Sequence, residues 1–122
     1  DISSENSLLD SDIMISEWSG AALEYAFSRE RPVIFIDTQT KINNLNWKKI
    51  NLSCLEEDIR NDIGKIIPPE KMEEIPKIII EMLSSVNSWS DQIRNIRQRT
   101  VFNIGNSGNV GAEIICKTLS LK

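Results

Sequence analysis

Short apolar runs and one helical apolar pattern alternate along the first third of the chain. Positions 13–15 are a short apolar run that predicts a buried strand, and the four consecutive apolar residues at 33–36 are typical of a strand buried on both faces of a parallel sheet. The segment 19–29 between them has apolar residues at helical spacing and predicts an amphipathic helix. The predicted core face of this helix consists of Leu23, Ala26 and Phe27. A strand, a helix and a strand in this order predict a βαβ unit with two parallel strands.

The remaining pattern predicts one further strand and several helices. Residues 38–53 are polar and irregular and are predicted to form a long loop, a kind of segment that is often functional. The other predicted elements are a helical turn at 4–12, a short helix at 54–62, a strand at 63–67, a helix that starts at Pro76, a helix at 88–102, a turn at 103–109 and a final helix at 110–121. The predicted fold class is therefore α/β, with a small parallel sheet flanked by helices and followed by C-terminal helices.

Length and charge limit the class of protein. The chain has 122 residues, which corresponds to about one domain, and 40% of them are hydrophobic, enough for a folded core. The net charge of -4 does not indicate the excess of positive charge that is typical of nucleic-acid-binding domains. No apolar run approaches the roughly 18 residues of a membrane span, and the first residues do not resemble a signal peptide. Because the chain begins directly beside a strand, we expect residues 1–122 to be a single domain of a larger protein.

Histidine is absent from the sequence, and its absence excludes several kinds of site. This chain alone cannot form a histidine general base, a Ser-His-Asp triad or a histidine-ligated metal site. The sequence predicts no metal cluster and no cofactor. Cys54 and Cys116 are isolated in the sequence, which favours reduced thiols in a cytoplasmic protein.

Ser19 and Gly20 follow the first predicted strand and open the predicted helix. The first N–H groups of a helix have no intrahelical partner and carry partial positive charge, so a helix start is a natural anion site. The Ser19 hydroxyl can donate to a phosphate, and Gly20 allows the phosphate to approach the backbone. The alternative is structural, with Ser19 as an ordinary N-cap and Gly20 as a residue that only permits the turn.

Glu24 lies one helical turn after Gly20. Its carboxylate can accept two hydrogen bonds from a ribose diol, as the acidic residue of a dinucleotide-binding fold does. The alternative is a solvated helix residue whose charge is favourable near the helix N-terminus. A phosphate site and a ribose acceptor on one helix, at the carboxyl edge of a parallel sheet, together predict a nucleotide site.

Three further residues flank the predicted site at the ends of the two strands. Glu17 is a candidate general acid or base, or else a polar turn residue, and Trp18 adjoins the helix start. Asp37 ends the second strand at the same edge and can contact a substrate or cap the following loop. A phospho-accepting Asp37 would need an acidic cluster and a downstream lysine, and the sequence does not show that constellation in order.

Two other features are candidates for anion binding. The segment "NIGNSGNVG" predicts a second helix start that includes Ser107 and Gly108, with a Gly-rich turn as the alternative. Arg94 and Arg97 share a face of the predicted helix 88–102, which is either a basic binding surface or a solvated face.

The segment "SDIMISEWSGAALEYAFSRERPVIFID" resembles the C-terminal domain of GT-B glycosyltransferase-like enzymes. It is most similar to the CDP-glycerol glycerophosphotransferase family, which includes the teichoic-acid polymerases. That family typically has an aspartate, three apolar residues, Ser or Thr, Asp, an aromatic residue and two serines, and positions 11–20 match this pattern. The segments "KINN", "IRNDIGKII" and "VFNIGNSGNVGAEII" resemble the tail of the same family, so the resemblance spans nearly the whole chain.

The resemblance implies a Rossmann-like half-domain of a two-domain transferase. Such an enzyme transfers glycerophosphate or another alditol phosphate from a CDP-linked donor to a cell-surface polymer, in the cytoplasm and often at the inner face of the membrane. The resemblance assigns the donor diphosphate to Ser19 and Gly20, and the ribose or sugar to Glu24. An N-terminal domain outside this chain would supply the acceptor site and the catalytic base, so we expect the isolated fragment to be inactive.

Two departures from the family pattern leave the donor open. Glu17 replaces the usual Asp, and Gly20 replaces the usual second serine. A Ser-Gly pair with Glu24 one turn later is also similar to the nucleotide-sugar pattern of GT-B enzymes, so a glycosyltransferase or epimerase domain is an alternative. A non-catalytic Rossmann-like interaction module is a third interpretation.

Overall fold

The computed structural model describes residues 4–40, 44, 46–49 and 52–119. The strands in this part of the chain are β1 (Met14–Ser16), β2 (Val33–Ile36) and β3 (Gly64–Ile67). The α-helices are α1 (Ser4–Asp10), α2 (Gly20–Arg29), α3 (Leu55–Asp58), α4 (Arg60–Ile63), α5 (Ile75–Ser84), α6 (Val86–Thr100) and α7 (Ser107–Thr118). Short 3-10 helices span Trp47–Lys49 and Pro69–Glu74. Among the helices described, none has the length and apolar character needed to cross a membrane.

The three strands form one parallel sheet in the order β1-β2-β3. Met14 pairs with Val33, and Val33 pairs on its other side with Gly64. A Cβ added at Gly64 would lie 1.8 Å from the carbonyl oxygen of Val33, so only glycine allows β3 to approach β2 at this position. The predicted α/β class, with a small parallel sheet flanked by helices, is confirmed.

Helices cover both faces of the sheet, because successive strand residues point to opposite sides. Val33 and Phe35 belong to a core cluster that α2, α4 and α6 complete on one face. Ile34, which lies between them, belongs to a second cluster that β3 and α5 complete on the other face. Trp89 of α6 packs against both clusters. The apolar run of β2 is therefore buried on both faces, as the sequence predicts for a central parallel strand.

The core face of α2 is rotated from the predicted one. The buried residues of this helix are Ala22, Tyr25 and Ala26. The predicted core residues Leu23 and Phe27 are only partly buried at the border of the cluster. Tyr25 can be buried because its hydroxyl donates a hydrogen bond to the Ser11 carbonyl oxygen at 2.9 Å, and this burial raises the pKa of Tyr25.

Glu30 ends α2 in the left-handed conformation, with φ 53°, and connects this helix to α6. Its carboxylate accepts hydrogen bonds from Arg94 at 2.5 Å and from Arg97 at 2.9 Å. The hydrogen bond from Arg94 holds the pKa of Glu30 below its ordinary value. Arg97 also donates to the carbonyl oxygen of Phe27. The basic face of α6 is therefore engaged in a structural contact between two helices.

The C-terminal helix contributes no buried residue to the core. α7 begins at Ser107, three residues earlier than the predicted start at 110, and none of its residues is buried. Phe102 and Ile104, which precede it, are exposed. The core around the sheet is therefore built from the chain before α7.

Candidate functional site

The carboxyl edge of the sheet brings together the segments that follow β1 and β2. The indole nitrogen of Trp18, after β1, donates to the carbonyl oxygen of Thr38, after β2, at 2.8 Å. The Thr38 hydroxyl donates to the Glu17 carboxylate at 3.0 Å. These two hydrogen bonds tie the strand ends to each other and place Glu17 and Trp18 beside the start of α2. The predicted juxtaposition of the strand ends is thus present.

Ser19 is the N-cap of α2, and its hydroxyl oxygen accepts a hydrogen bond from the Ala21 amide at 3.3 Å. Gly20 is the first residue of the helix, so its N–H group has no intrahelical partner. A Cβ added at Gly20 would meet no atom within 4 Å. The fold therefore does not require a glycine here for space, and the helix start is open to an approaching group.

Arg60, the first residue of α4, lies at the same edge and was not predicted as a site residue. Only 4% of its surface is exposed, and it is buried among apolar and aromatic side chains. Its guanidinium carbon lies 3.9 Å from the centroid of the Trp18 ring and 4.9 Å from that of Phe35, within the range of cation–π contacts. A sequence signal existed, because Ile59 and Ile63 mark the core face of this short helical segment and Arg60 borders it.

The hydrogen bonding of Arg60 is incomplete. Its Nη1 donates to the Asp37 carboxylate at 3.0 Å. Its Nε and Nη2 are buried and find no acceptor among the described residues. Asp37 is therefore a partner of the buried guanidinium, and its backbone amide is bonded to the Ile67 carbonyl oxygen of β3 at 2.8 Å. The sequence placed Asp37 at this edge but gave no sign of this pairing.

A small hollow of about 10 Å³ lies between the helix start and Arg60. The residues that line it are Glu17, Trp18, Ser19, Leu23, Phe35, Glu56 and Arg60. This volume is about that of one water molecule or one oxygen atom of a ligand. The Cys54 thiol donates to the Glu56 carboxylate at 2.8 Å, which lowers the pKa of Glu56 and raises that of Cys54. The hollow thus combines one guanidinium with two carboxylates.

Glu24 lies in a different cavity from Ser19. It lines an open groove of about 350 Å³ between α1 and α2. The other residues of this groove are Leu8, Leu9, Ala21, Tyr25, Ser28 and Arg29. The Glu24 side chain is exposed and makes no hydrogen bond or ion pair with the residues that the structure describes. Helical spacing nevertheless places Gly20 and Glu24 on one face of α2, one turn apart.

The second predicted helix start is not brought to this site. Ser107 and Gly108 begin α7, whose N-cap residue Asn106 makes no side-chain capping bond. In the described part of the chain, no hydrogen bond, ion pair or shared cavity joins Ser107 or Gly108 to the start of α2. Lys41, a basic residue of the predicted loop 38–53, lies outside the described residues. Across the described ranges, no group of three His, Cys, Asp or Glu side chains is placed to hold a metal ion.

Comparisons with protein-family models, with curated proteins and with solved structures found no match to this chain.

Proposed function

We propose that this chain is the donor-nucleotide-binding domain of a GT-B-type transferase, which moves glycerophosphate or another alditol phosphate from a CDP-linked donor toward a cell-surface polymer. The observation that carries the proposal is the start of α2, which lies uncrowded at the carboxyl edge of a parallel sheet. Ligands of open α/β sheets bind at this edge, and a helix start is suited to their phosphates.

Ser19 and Gly20 hold the donor diphosphate in this proposal. The partial positive charge of the helix start and the N–H group of Gly20 attract the phosphoryl oxygens, and the open space at Gly20 lets them approach. The leaving nucleotide gains negative charge during transfer, so fixed donors here stabilise the transition state electrostatically. This electrostatic role requires neither proton transfer by a residue of this chain nor a bound metal ion.

The nucleoside lies along α2 toward the groove beside α1. Gly20 and Glu24 are one helical turn apart, so a single nucleotide can place its diphosphate at the first and its ribose diol at the second. The groove of about 350 Å³ is within the usual size range of small-molecule sites. Its wall includes Leu8 and Leu9, which offer apolar surface to a base. Glu24 has no competing ion pair among the described residues, which leaves its carboxylate available to accept hydrogen bonds.

Catalysis in this proposal depends on a second domain of the full-length protein, at the inner face of the membrane. Glu17 lines the same hollow as Ser19, and the hydrogen bond from Thr38 orients its carboxylate. The Ser19-Gly20 pair with Glu24 one turn later also resembles the nucleotide-sugar pattern of GT-B enzymes, so a nucleotide sugar is the second candidate substrate class.

Calorimetric titration of the chain with CDP-glycerol, CDP and UDP-glucose tests the proposal. Gly20→Val fills the open space at the helix start and is expected to weaken nucleotide binding by about tenfold or more. Gly108→Val adds the same side chain in α7 and is the matched control. The preferred nucleotide distinguishes the two donor classes. Nucleotide binding that is equally strong in wild type and Gly20→Val, or absent up to about 10 mM, contradicts the proposal.

A further inference from the structure

We propose that Arg60 and the start of α2 form one anion subsite, in which a phosphoryl oxygen accepts the hydrogen bonds that the buried guanidinium does not make to the described residues. The chemical class of the ligand is a phosphate or diphosphate ester. Its identification with the diphosphate of the donor rests on the proposed function, but the subsite itself rests on Arg60.

The guanidinium of Arg60 has N–H donors that lack acceptors among the described residues. An arginine side chain carries five N–H groups, and only Nη1 has an acceptor among the described residues, the Asp37 carboxylate. Nε and Nη2 are buried, so bulk water does not reach them. Leaving a buried donor without an acceptor costs about 1–3 kcal/mol, and more for a charged group. A ligand that brings oxygen atoms to these nitrogens removes that cost.

The neighbouring aromatic rings hold the guanidinium in place. Trp18 and Phe35 lie 3.9 Å and 4.9 Å from its central carbon, measured to the ring centroids. Trp18 is itself fixed by the hydrogen bond from its indole nitrogen to Thr38. A planar cation held against aromatic rings is prepared for directional hydrogen bonds to phosphate oxygens, which favour arginine over lysine.

The hollow connects the guanidinium with the helix start. Arg60 and Ser19 both line it, and its volume of about 10 Å³ fits one oxygen-sized atom. One phosphoryl oxygen can therefore enter the hollow, while the rest of the phosphate stays outside next to Gly20, where a Cβ would meet nothing within 4 Å.

Asp37 is an exchangeable counterion for Arg60. Its side chain is 48% exposed, whereas that of Arg60 is 5% exposed. The carboxylate can return to water when a ligand arrives, but the guanidinium cannot. Water screens the half-exposed carboxylate, so a phosphate that makes two charge-assisted hydrogen bonds to the guanidinium can displace it.

Two carboxylates set a limit on affinity. Glu17 and Glu56 line the same hollow and repel an incoming dianion. Binding therefore depends on directed hydrogen bonds from Arg60 and the helix start, and we expect dissociation constants in the millimolar range, about 1 mM or weaker, for a free anion.

Fluorescence titration with inorganic pyrophosphate and with CDP tests the subsite. In a Trp47→Phe, Trp89→Phe background, emission reports on Trp18 alone, and its change on ligand binding is expected to saturate because an anion bound at Arg60 changes the electrostatic environment of the adjacent ring. Asp37→Asn removes the negative charge that competes for the guanidinium and weakens its hydrogen bond to Arg60, and it is expected to strengthen pyrophosphate binding by about three- to tenfold. Arg60→Lys keeps the charge but loses the planar geometry and is expected to weaken binding by about tenfold. Arg99→Lys on the exposed side of α6 is the control, with unchanged affinity.

The outcomes separate this inference from the proposed function. Arg60 is buried in the folded chain, so its replacement also affects folding, and Asp37→Asn, which keeps Arg60, is the decisive test. Affinities that stay within about twofold of wild type in both variants overturn the subsite and assign Nε and Nη2 to a structural water. If nucleotides bind and their affinity changes with neither Asp37→Asn nor Arg60→Lys, the result supports the proposed function and contradicts the subsite. If pyrophosphate binding depends on Arg60 but CDP and UDP bind no better than pyrophosphate, the result supports the subsite and contradicts the proposed function. No binding of any anion overturns both.

Discussion

Glu30 accepts a hydrogen bond from Arg97 at 2.9 Å across 67 positions of the chain and so connects the end of α2 to α6. Arg94, one turn earlier on α6, donates to the same carboxylate. Because α2 begins at the candidate site and ends at Glu30, this contact fixes the helix whose first turn is proposed to bind the donor. The stability of the domain and the geometry of the site thus depend on one carboxylate.

Replacing Glu30 is expected to destabilise the fold. Glu30→Ala removes the charge-assisted hydrogen bonds from Arg94 and Arg97 in a partly exposed setting, and we expect a loss of about 1–2 kcal/mol in the free energy of unfolding. Glu30→Gly should lose less than Glu30→Ala, because glycine adopts the left-handed conformation at this position without strain. Urea denaturation measures both. Glu24→Ala on the exposed face of the same helix is the control and should change stability by less than about 0.5 kcal/mol. Equal stability of Glu30→Ala and wild type would contradict the role of this contact.

The contribution of Glu30 is also expected to depend on pH. Its pKa is lowered in the folded protein, chiefly by the hydrogen bond from Arg94. A carboxylate with a depressed folded pKa adds stability above its unfolded pKa of about 4.3, and that stability is lost as the pH falls through the folded pKa. The stability difference between wild type and Glu30→Gln should therefore be largest near about pH 7 and shrink below about pH 4. A difference that is constant down to about pH 2.5 would show that no ionised Glu30 is involved.

Gly64→Ala is expected to disrupt the sheet. The added methyl group would lie 1.8 Å from the carbonyl oxygen of Val33, a backbone atom of the neighbouring strand that cannot move without breaking the β2–β3 pairing. We expect a loss of about 3 kcal/mol or more, or no folding, as measured by circular dichroism and thermal unfolding. Gly108→Ala adds the same methyl group in open space within α7 and should leave the melting temperature unchanged or slightly raised. A Gly64→Ala protein as stable as wild type would exclude this strand register.

Cys54 is expected to react slowly with thiol reagents because of Glu56. The hydrogen bond from the thiol to this carboxylate raises the pKa of Cys54 and so lowers the fraction of reactive thiolate. In a Cys116→Ser background, Glu56→Ala should increase the alkylation rate by iodoacetamide at about pH 8 by about two- to tenfold. Glu57→Ala, which removes the neighbouring carboxylate, should leave the rate nearly unchanged. A slower reaction in Glu56→Ala would contradict the described hydrogen bond.

Local features of the fold could be predicted from the sequence. Ser19 is recognisable as an N-cap because its hydroxyl follows an apolar run and precedes a helical pattern, and β2 is recognisable because four apolar residues stand together. The Gly- and Asn-rich turn before α7 and the proline in the first turn of α5 are local signals of the same kind.

Features that depend on distant residues could not be predicted. The role of Arg60 depends on Asp37, 23 positions away, and on Trp18 after β1, so the local pattern could place Arg60 at the border of a core face but could not identify these partners. Glu24 was predicted beside the phosphate site, but α1 packs near it and places it in a separate groove. The same limit applies to α7, whose helical pattern gives no information on whether it packs against the core.

Localised amide shifts on nucleotide binding test the central claim most directly. Two-dimensional ¹⁵N NMR of the chain, titrated with CDP-glycerol, can be followed at the amides of residues 18–24 and, as an internal control, at the first turn of α7. That turn is also a helix start with partial positive charge but has no buried arginine described beside it. The account predicts saturable shifts at Ser19, Gly20 and Ala21, with little change at Ser107 and Gly108. Equal shifts at both helix starts, or none at the first, would contradict a donor site at the start of α2.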